Sequence, residues 1–127
     1  MINQDITFKG TDNLVLGDGV QTDSVKPTAA TAYKRGDLLK IDPVTNVATH
    51  ATVADWSVVA LEDVTATQAD KALATGFEIP VYTQGELNVN AVSLKGVLLT
   101  DEQKTTARGR ANANGSKIEL RKPFVAK

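Results

Sequence analysis

The stretch Asp37-Leu-Leu-Lys-Ile-Asp-Pro-Val-Thr-Asn-Val-Ala-Thr49 predicts a β-hairpin. Apolar and β-branched residues occupy both ends of the stretch, and Asp42-Pro43 through Asn46 supply turn-forming residues between them. Two short strands joined by a tight turn indicate antiparallel pairing.

Further strand regions follow the hairpin. Trp56-Ser-Val-Val-Ala-Leu-Glu62 is a short apolar run, typical of a strand that is buried on both faces. Phe77-Glu-Ile-Pro-Val-Tyr-Thr83 and Glu86-Leu-Asn-Val-Asn-Ala-Val92 alternate polar and apolar residues on either side of Gln84-Gly85, which predicts a second hairpin. Because Pro80 cannot donate a ladder hydrogen bond, its strand is expected at a sheet edge or at a bulge.

Helical signals are few. Residues 66–75 favour a helix by propensity, and Gly76 could cap it, but only Leu73 is a sizeable apolar anchor, so helix and loop both stay open. Thr100-Asp-Glu-Gln103 has the capping-box form and predicts a short helix to about Arg108. A loop over residues 108–116 then leads to a last strand, residues 118–122. The predicted fold class is mainly β, an antiparallel α+β single domain with one short C-terminal helix.

Residues 1–30 have a different composition from the rest of the chain. They are dense in Asp, Asn, Gly, Thr and Ser, and their apolar positions lack the periodicity of a packed element. We expect an extended N-terminal arm over residues 1–30, which orders on a partner, and a compact domain over residues 31–127. The pattern at Ile2, Ile6, Thr7 and Phe8 could add a strand to a partner's sheet edge, and Pro27 is the expected exit of the arm from the domain.

The composition favours some functions and disfavours others. The chain has 127 residues, one domain's worth, and aromatic residues are only 5% of it. Sugar-binding clefts and platforms for single-stranded nucleic acid both need several exposed rings, so both become less favoured. The lack of cysteine excludes disulfides and thiolate chemistry. The N-terminal residues do not have the pattern of a signal peptide, and no stretch is long enough to span a bilayer.

Charge is distributed unevenly along the chain. Residues 1–102 carry 7 basic and 14 acidic side chains, whereas residues 103–127 carry 7 basic side chains and only Glu119 as an acid. The basic segment could meet an anionic partner such as nucleic acid. Alternatively, the acidic and basic parts attract each other, within one subunit or across an oligomer. Both interpretations stay open.

No pattern of residues indicates catalysis. His50 is the single histidine, has no ligand partner at helical spacing, and is expected to be a polar position on a strand. No serine lies in a Gly-x-Ser-x-Gly elbow. The pairs Glu62-Asp63 and Asp101-Glu102 are expected to mark a strand end and a helix N-terminus. Arg35-Gly36-Asp37 spells an adhesion tripeptide, but a turn into a strand explains it. We therefore expect no enzymatic activity, no cofactor and no metal.

Three stretches resemble the head decoration (cement) proteins of lambda-type bacteriophages. In that family a strand pair leads to a strand of the form x-Gly-Ile-Leu-x-x-Asp and then to Val-x-x-x-Gly-x-Φ-x, where Φ is apolar. The resemblance covers about residues 30–100, and Ala60 stands where glycine is common in the family. The stretches are Tyr33-Lys-Arg-Gly-Asp-Leu-Leu-Lys-Ile-Asp-Pro43, Trp56-Ser-Val-Val-Ala-Leu-Glu-Asp-Val64 and Ile79-Pro-Val-Tyr-Thr-Gln-Gly-Glu-Leu-Asn88.

The resemblance implies a structural virion protein without an active site, made in the host cytoplasm. Proteins of this family join the outside of an assembled capsid as trimers at local threefold positions and clamp the lattice of major capsid subunits after expansion. The N-terminal arm of the family contributes to shell binding. Ile2, Ile6, Thr7, Phe8 and Pro27 are therefore the candidate capsid-binding residues here. Neither a membrane nor a small-molecule substrate is implied.

The hairpin predicted over residues 77–92 is a candidate trimer surface. Its expected contact residues are Val81, Tyr82, Leu87 and Val89. Two other classes of function remain as alternatives. One is a nucleic-acid or polyanion-binding module that uses the basic C-terminal segment, and the other is a small hydrolase that would depend on His50.

Overall fold

A computed structural model describes residues 13–123 as a single, mainly β domain, which confirms the predicted fold class. Two α-helices lie within this range, one more than the single helix expected. A short 3-10 turn, Val89–Ala91, also occurs. The elements in chain order are β1 Gln21–Pro27, β2 Leu38–Ile41, β3 Val47–His50, β4 Val58–Ala60, α1 Ala66–Thr75, β5 Ile79–Asn88, β6 Ser93–Leu94, β7 Val97–Leu98, α2 Asp101–Arg110 and β8 Lys117–Arg121.

Six strands form one sheet in the order β1-β3-β2-β4-β5-β8, and a further pairing of β1 with β5 closes a circuit of five strands. The sheet is mixed, which corrects the expectation of purely antiparallel strands. β1 pairs in parallel with β3, and β5 pairs in parallel with β8. Parallel neighbours need a crossover connection, and α2 with its following loop lies in the crossover between β5 and β8.

Both faces of the sheet are covered by apolar side chains. Leu38 and Val59 belong to one core cluster, whereas their chain neighbours Leu39 and Val58 belong to the other. Because successive side chains of a strand point to opposite faces, neighbours in different clusters show that each face has its own core. The predictions of a strand buried on both faces near residue 58 and of a hairpin joining β2 to β3 are therefore confirmed.

Both helices begin with a capping box. The box predicted at Thr100 is present, since the Thr100 hydroxyl accepts from the Gln103 N–H and the Gln103 side chain accepts from the Thr100 N–H. Thr65 and Gln68 form the same arrangement at α1, and Gly76 ends that helix with a φ of 81°. These caps satisfy orphan backbone groups at the helix ends, and residues 66–75 form a helix rather than a loop.

The hairpin predicted over residues 77–92 is wrong. β5 runs without a turn from Ile79 to Asn88. Gly85 has a φ of 129°, and a Cβ there would lie 2.6 Å from Cγ1 of Val20, so glycine permits the residue just before β1 to approach β5 closely. The strand that contains Pro80 has neighbours on both sides rather than an edge position. It does have the irregularity expected as the alternative, since the register of β5 against β1 shifts between Gln21 and Thr22.

The arm boundary expected at residue 30 is also corrected. Leu14 is 1% exposed and belongs to the core, and the Leu16 N–H donates to the Glu86 carbonyl of β5. Pro27 is the buried last residue of β1 and is paired with Ala48, so it lies within the sheet. Leu14 lies in a stretch that is mostly polar, and it joins the core because the backbone of this stretch pairs with β5. Ile2, Ile6, Thr7 and Phe8 lie outside the described residues.

Candidate interaction surface

A small hairpin carries an exposed pair of large apolar side chains. Strands β6 and β7 form a separate two-stranded sheet, in which Ser93 pairs with Leu98 and Leu94 with Val97. Val97 is 70% exposed and Leu98 is 61% exposed. We call residues 93–98 the apolar hairpin. Because the two residues are consecutive in β7, their side chains project from opposite sides of the hairpin. Large apolar side chains exposed on a regular element are one mark of a surface that binds another macromolecule.

The turn of the apolar hairpin follows from its sequence. Lys95 and Gly96 lie between the two strands and have φ angles of 51° and 86°. Two consecutive positive φ values are the signature of a type I′ turn, whose twist matches that of the flanking strands. A two-residue turn ending in glycine between Leu94 and Val97 is a hairpin signal that the sequence contains and that sequence analysis missed.

Asp37 holds the apolar hairpin against the domain. This residue lies at the entry to β2 and is only 1% exposed. Its Oδ1 atom accepts from Ser93 Oγ at 2.5 Å and from the Gly96 N–H at 2.8 Å, and its Oδ2 atom accepts from the Lys34 N–H at 2.8 Å. Hydrogen bonds to a buried carboxylate are among the strongest in proteins. The base and the turn of the hairpin are thus tied to one buried side chain.

Gly36 brings the same segment close to the residues that precede the hairpin. A Cβ at Gly36 would lie 2.6 Å from the Ala91 carbonyl oxygen, and its φ is 98°. The Gly36 carbonyl accepts from the Ser93 N–H at 2.9 Å. Arg35 is occupied as well, since its Nη1 atom donates to the Leu61 carbonyl and to the Tyr82 hydroxyl. The expectation that Arg35-Gly36-Asp37 is a turn into a strand is confirmed.

His50 lies beside this anchor on β3, as expected for a polar strand position. Its ring stacks on Tyr33, with centroids 5.1 Å apart. Its Nε2 atom is 2.8 Å from the Ala32 carbonyl, and Nδ1 is 3.8 Å from Asp37 Oδ2, beyond hydrogen-bond distance. Ser93 donates to Asp37 rather than to His50. The three residue types of a serine hydrolase are therefore close together without the hydrogen bond from serine to histidine that such chemistry needs.

The candidate trimer residues do not form a surface. Val81, Leu87 and Val89 are 0% exposed and Tyr82 is 7% exposed. Their side chains lie in the two core clusters, which corrects the expectation that they contact another copy. The physical reason is that a core cluster covers each face of the sheet, so β5 has no free face.

Side chains of the basic C-terminal segment contact the domain itself. Arg108 Nε donates to the Leu120 carbonyl at 3.0 Å, and Arg110 Nε donates to the Ala54 carbonyl at 3.1 Å. Lys104 pairs with Asp101, and Arg121 pairs with Glu86. Two of these partners, Asp101 and Glu86, belong to the acidic part of the chain. Attraction between the acidic and basic parts is thus present within the subunit.

The chain matches no protein-family model, and no curated protein is significantly similar to it. Within residues 13–123, no group of three or more His, Asp or Glu side chains is arranged to hold a metal ion. No helix in that range has the length and apolar character needed to cross a bilayer.

Proposed function

We propose that the protein is a structural virion protein that binds the outer surface of an assembled phage capsid and stabilises the expanded head. The observation that supports this most directly is the apolar hairpin, whose exposed Val97 and Leu98 are presented on a base fixed by Asp37. A surface that is rigid before binding loses little conformational entropy on association. The resemblance of about residues 30–100 to phage decoration proteins supplies the class of partner, the lattice of major capsid subunits.

The proposed assembly is a trimer at local threefold positions. Three linked copies of one surface bind a repeating lattice with a gain in avidity that a monomer lacks. A protein that binds the expanded lattice and not the unexpanded one stabilises the expanded form by mass action. Ile2, Ile6, Thr7 and Phe8 are proposed as additional contacts to the shell through strand addition.

Co-sedimentation with phage heads tests this function. We expect the full chain to sediment with expanded heads and not with unexpanded ones, and to have a mass of about 40 kDa by light scattering, three times 13.5 kDa. A chain lacking residues 1–12 leaves Leu14 and β1 in place and is expected to bind more weakly. Failure of the full chain to bind either form of head contradicts the proposal. Binding to DNA that weakens steeply with salt would then favour the polyanion-binding alternative.

A double variant tests the apolar hairpin itself. Val97→Ser with Leu98→Ser is expected to weaken head binding at least about tenfold, because two apolar side chains no longer lose contact with water on binding. Val44→Ser is the matched control, since Val44 is 89% exposed but lies in the turn between β2 and β3. Equal effects of the two changes would show that the hairpin is not the contact surface.

A further inference from the structure

The outer edge of β8 faces an open groove. Within residues 13–123, β8 pairs with β5 on one side only. On the other side, β8 and the C-terminal half of α2 border a groove of about 570 Å³ whose lining includes Arg108, Ser116, Lys117 and Leu120. A strand edge beside an accessible groove is the arrangement to which an extended segment can add as a further strand.

The backbone groups along this edge can be assigned from two contacts. The Ile118 N–H donates to Ser116 Oγ at 3.1 Å, and the Leu120 carbonyl accepts from Arg108 Nε at 3.0 Å. Since the N–H and C=O of one strand residue point to the same side, the peptide groups of Ile118 and Leu120 face away from β5. The Ser116 side chain thus occupies the Ile118 N–H, and the Arg108 side chain occupies the Leu120 carbonyl. The Ile118 carbonyl and the Leu120 N–H have no partner among the described residues and can pair with an incoming strand.

The charges around the edge disfavour a second copy of this chain as the occupant. An antiparallel pair of β8 strands centred on Glu119 would place Lys117 opposite Arg121 twice and the two Glu119 side chains opposite each other. Like charges that lie directly opposite in a sheet are destabilising. A symmetric β8–β8 contact is therefore a poor solution for this edge.

The same charges favour an acidic segment. The Arg108 guanidinium is exposed and bonds to a neutral carbonyl, so its charge is not neutralised by that contact. Lys117 has no ion pair within the described part of the chain, and Glu119 is the single acid that lines the groove. We propose that the groove between β8 and α2 binds an extended polypeptide segment with acidic side chains, which adds as a strand to the outer edge of β8. A peptide carboxylate then replaces the Leu120 carbonyl as the partner of Arg108.

This proposal does not depend on capsid binding, and its test needs no phage heads. The full-length, ¹⁵N-labelled protein is titrated with an octapeptide of alternating Glu and Val up to about 1 mM, where weak binding is still measurable by NMR. We expect chemical-shift changes in β8 and in the second half of α2, and slower hydrogen exchange of the Leu120 amide. An octapeptide of alternating Lys and Val is expected to cause neither change.

Two charge reversals on α2 distinguish binding in the groove from nonspecific attraction of the peptide to the basic C-terminal segment. Arg108→Glu is expected to weaken binding of the Glu-Val peptide about tenfold. Arg110→Glu is the matched control, because Arg110 also donates to a main-chain carbonyl but does not line the groove. Arg108→Gln, tested in parallel, removes the charge without reversing it and is expected to lie between the wild type and Arg108→Glu. Absence of shifts, equal binding of the Lys-Val peptide, or equal effects of Arg108→Glu and Arg110→Glu would each overturn the proposal.

Discussion

The apolar hairpin and the outer edge of β8 are both small strand surfaces, but they are held in different ways. The hairpin is fixed by Asp37, which is 1% exposed and accepts three hydrogen bonds. The β8 edge is covered by Ser116, which is half-buried, and by the exposed side chain of Arg108. One surface depends on an interior group and the other on groups within reach of water.

This difference in burial has an energetic consequence. A buried hydrogen bond has no water to replace it, so breaking it leaves donors unsatisfied, whereas an exposed one exchanges with water at little cost. The hairpin is thus expected to keep one conformation before and after binding. The Arg108 contact can open and re-form, which leaves the β8 edge available to a partner.

The largest effect is expected at the hairpin's anchor. Asp37→Ala removes the acceptor of the buried Ser93 Oγ and of the Gly96 and Lys34 N–H groups, whose bonds to Asp37 are partly buried. This loss is expected to cost about 3 kcal/mol of unfolding free energy. Urea denaturation measures this loss. Native-state hydrogen exchange is expected to show the Gly96 amide losing its protection.

Asp42→Ala provides the matched control for that substitution. Asp42 also accepts from two backbone N–H groups, those of Val44 and Thr45, but it lies in an exposed turn. Its loss is expected to cost about 1 kcal/mol. If both substitutions destabilised the protein equally, burial would not explain the difference between the hairpin and the β8 edge.

A smaller effect is expected at the cap of α2, the helix that carries Arg108. Thr100→Ala removes the acceptor for the Gln103 N–H and is expected to cost about 1 kcal/mol. Thr65→Ala removes the equivalent bond in α1 and should cost a similar amount. Only Thr100→Ala is expected to increase hydrogen exchange in β8, because α2 packs on that strand. Increased exchange in β8 with both variants would indicate general destabilisation instead.

Local patterns in the sequence predicted the parts of the fold that short-range chemistry determines. The turn at Asp42-Pro43 defined the hairpin of β2 and β3, and the capping box at Thr100 defined the start of α2. The box formed by Thr65 and Gln68 was an equally clear signal for α1, and it would have decided between helix and loop there.

The features that sequence analysis missed depend on contacts between distant residues. The pair Gln84-Gly85 has the residue types of a turn, and only the close approach of Val20 to Gly85 shows why glycine is needed inside a continuous strand. Leu14 joins the core because its neighbour Val15 pairs with Leu87 of β5. No sequence pattern near Leu14 indicates that pairing. At the candidate surface, Asp37 and Ser93 are 56 residues apart in sequence, so their hydrogen bond could not be predicted from spacing.

The smallest effect is expected at Asp55, a carboxylate intermediate in exposure between the buried anchor and the open edge. Its side chain is 43% exposed. Burial raises the pKa of Asp55, but hydrogen bonds from Thr52 and Lys40, together with the charge of Lys40, lower the pKa by more than burial raises it. The pKa therefore lies below its usual value of 3.8. A lowered folded-state pKa stabilises the protein above pH 3.8, and this stabilisation is lost as the pH falls through the folded-state pKa.

Asp55→Asn tests that assignment against pH. The Asn side chain cannot ionise, so the difference in unfolding free energy between wild type and variant is expected to be below about 1 kcal/mol at neutral pH and to shrink in acid. Urea denaturation of both proteins across the acid range measures this difference and cancels the titration of the other carboxylates. A difference that stays constant with pH would show that Asp55 contributes through neutral hydrogen bonds alone. Half-exposed charges would then resemble the Arg108 contact at the β8 edge, and only burial, as at Asp37, would make a carboxylate a strong anchor in this fold.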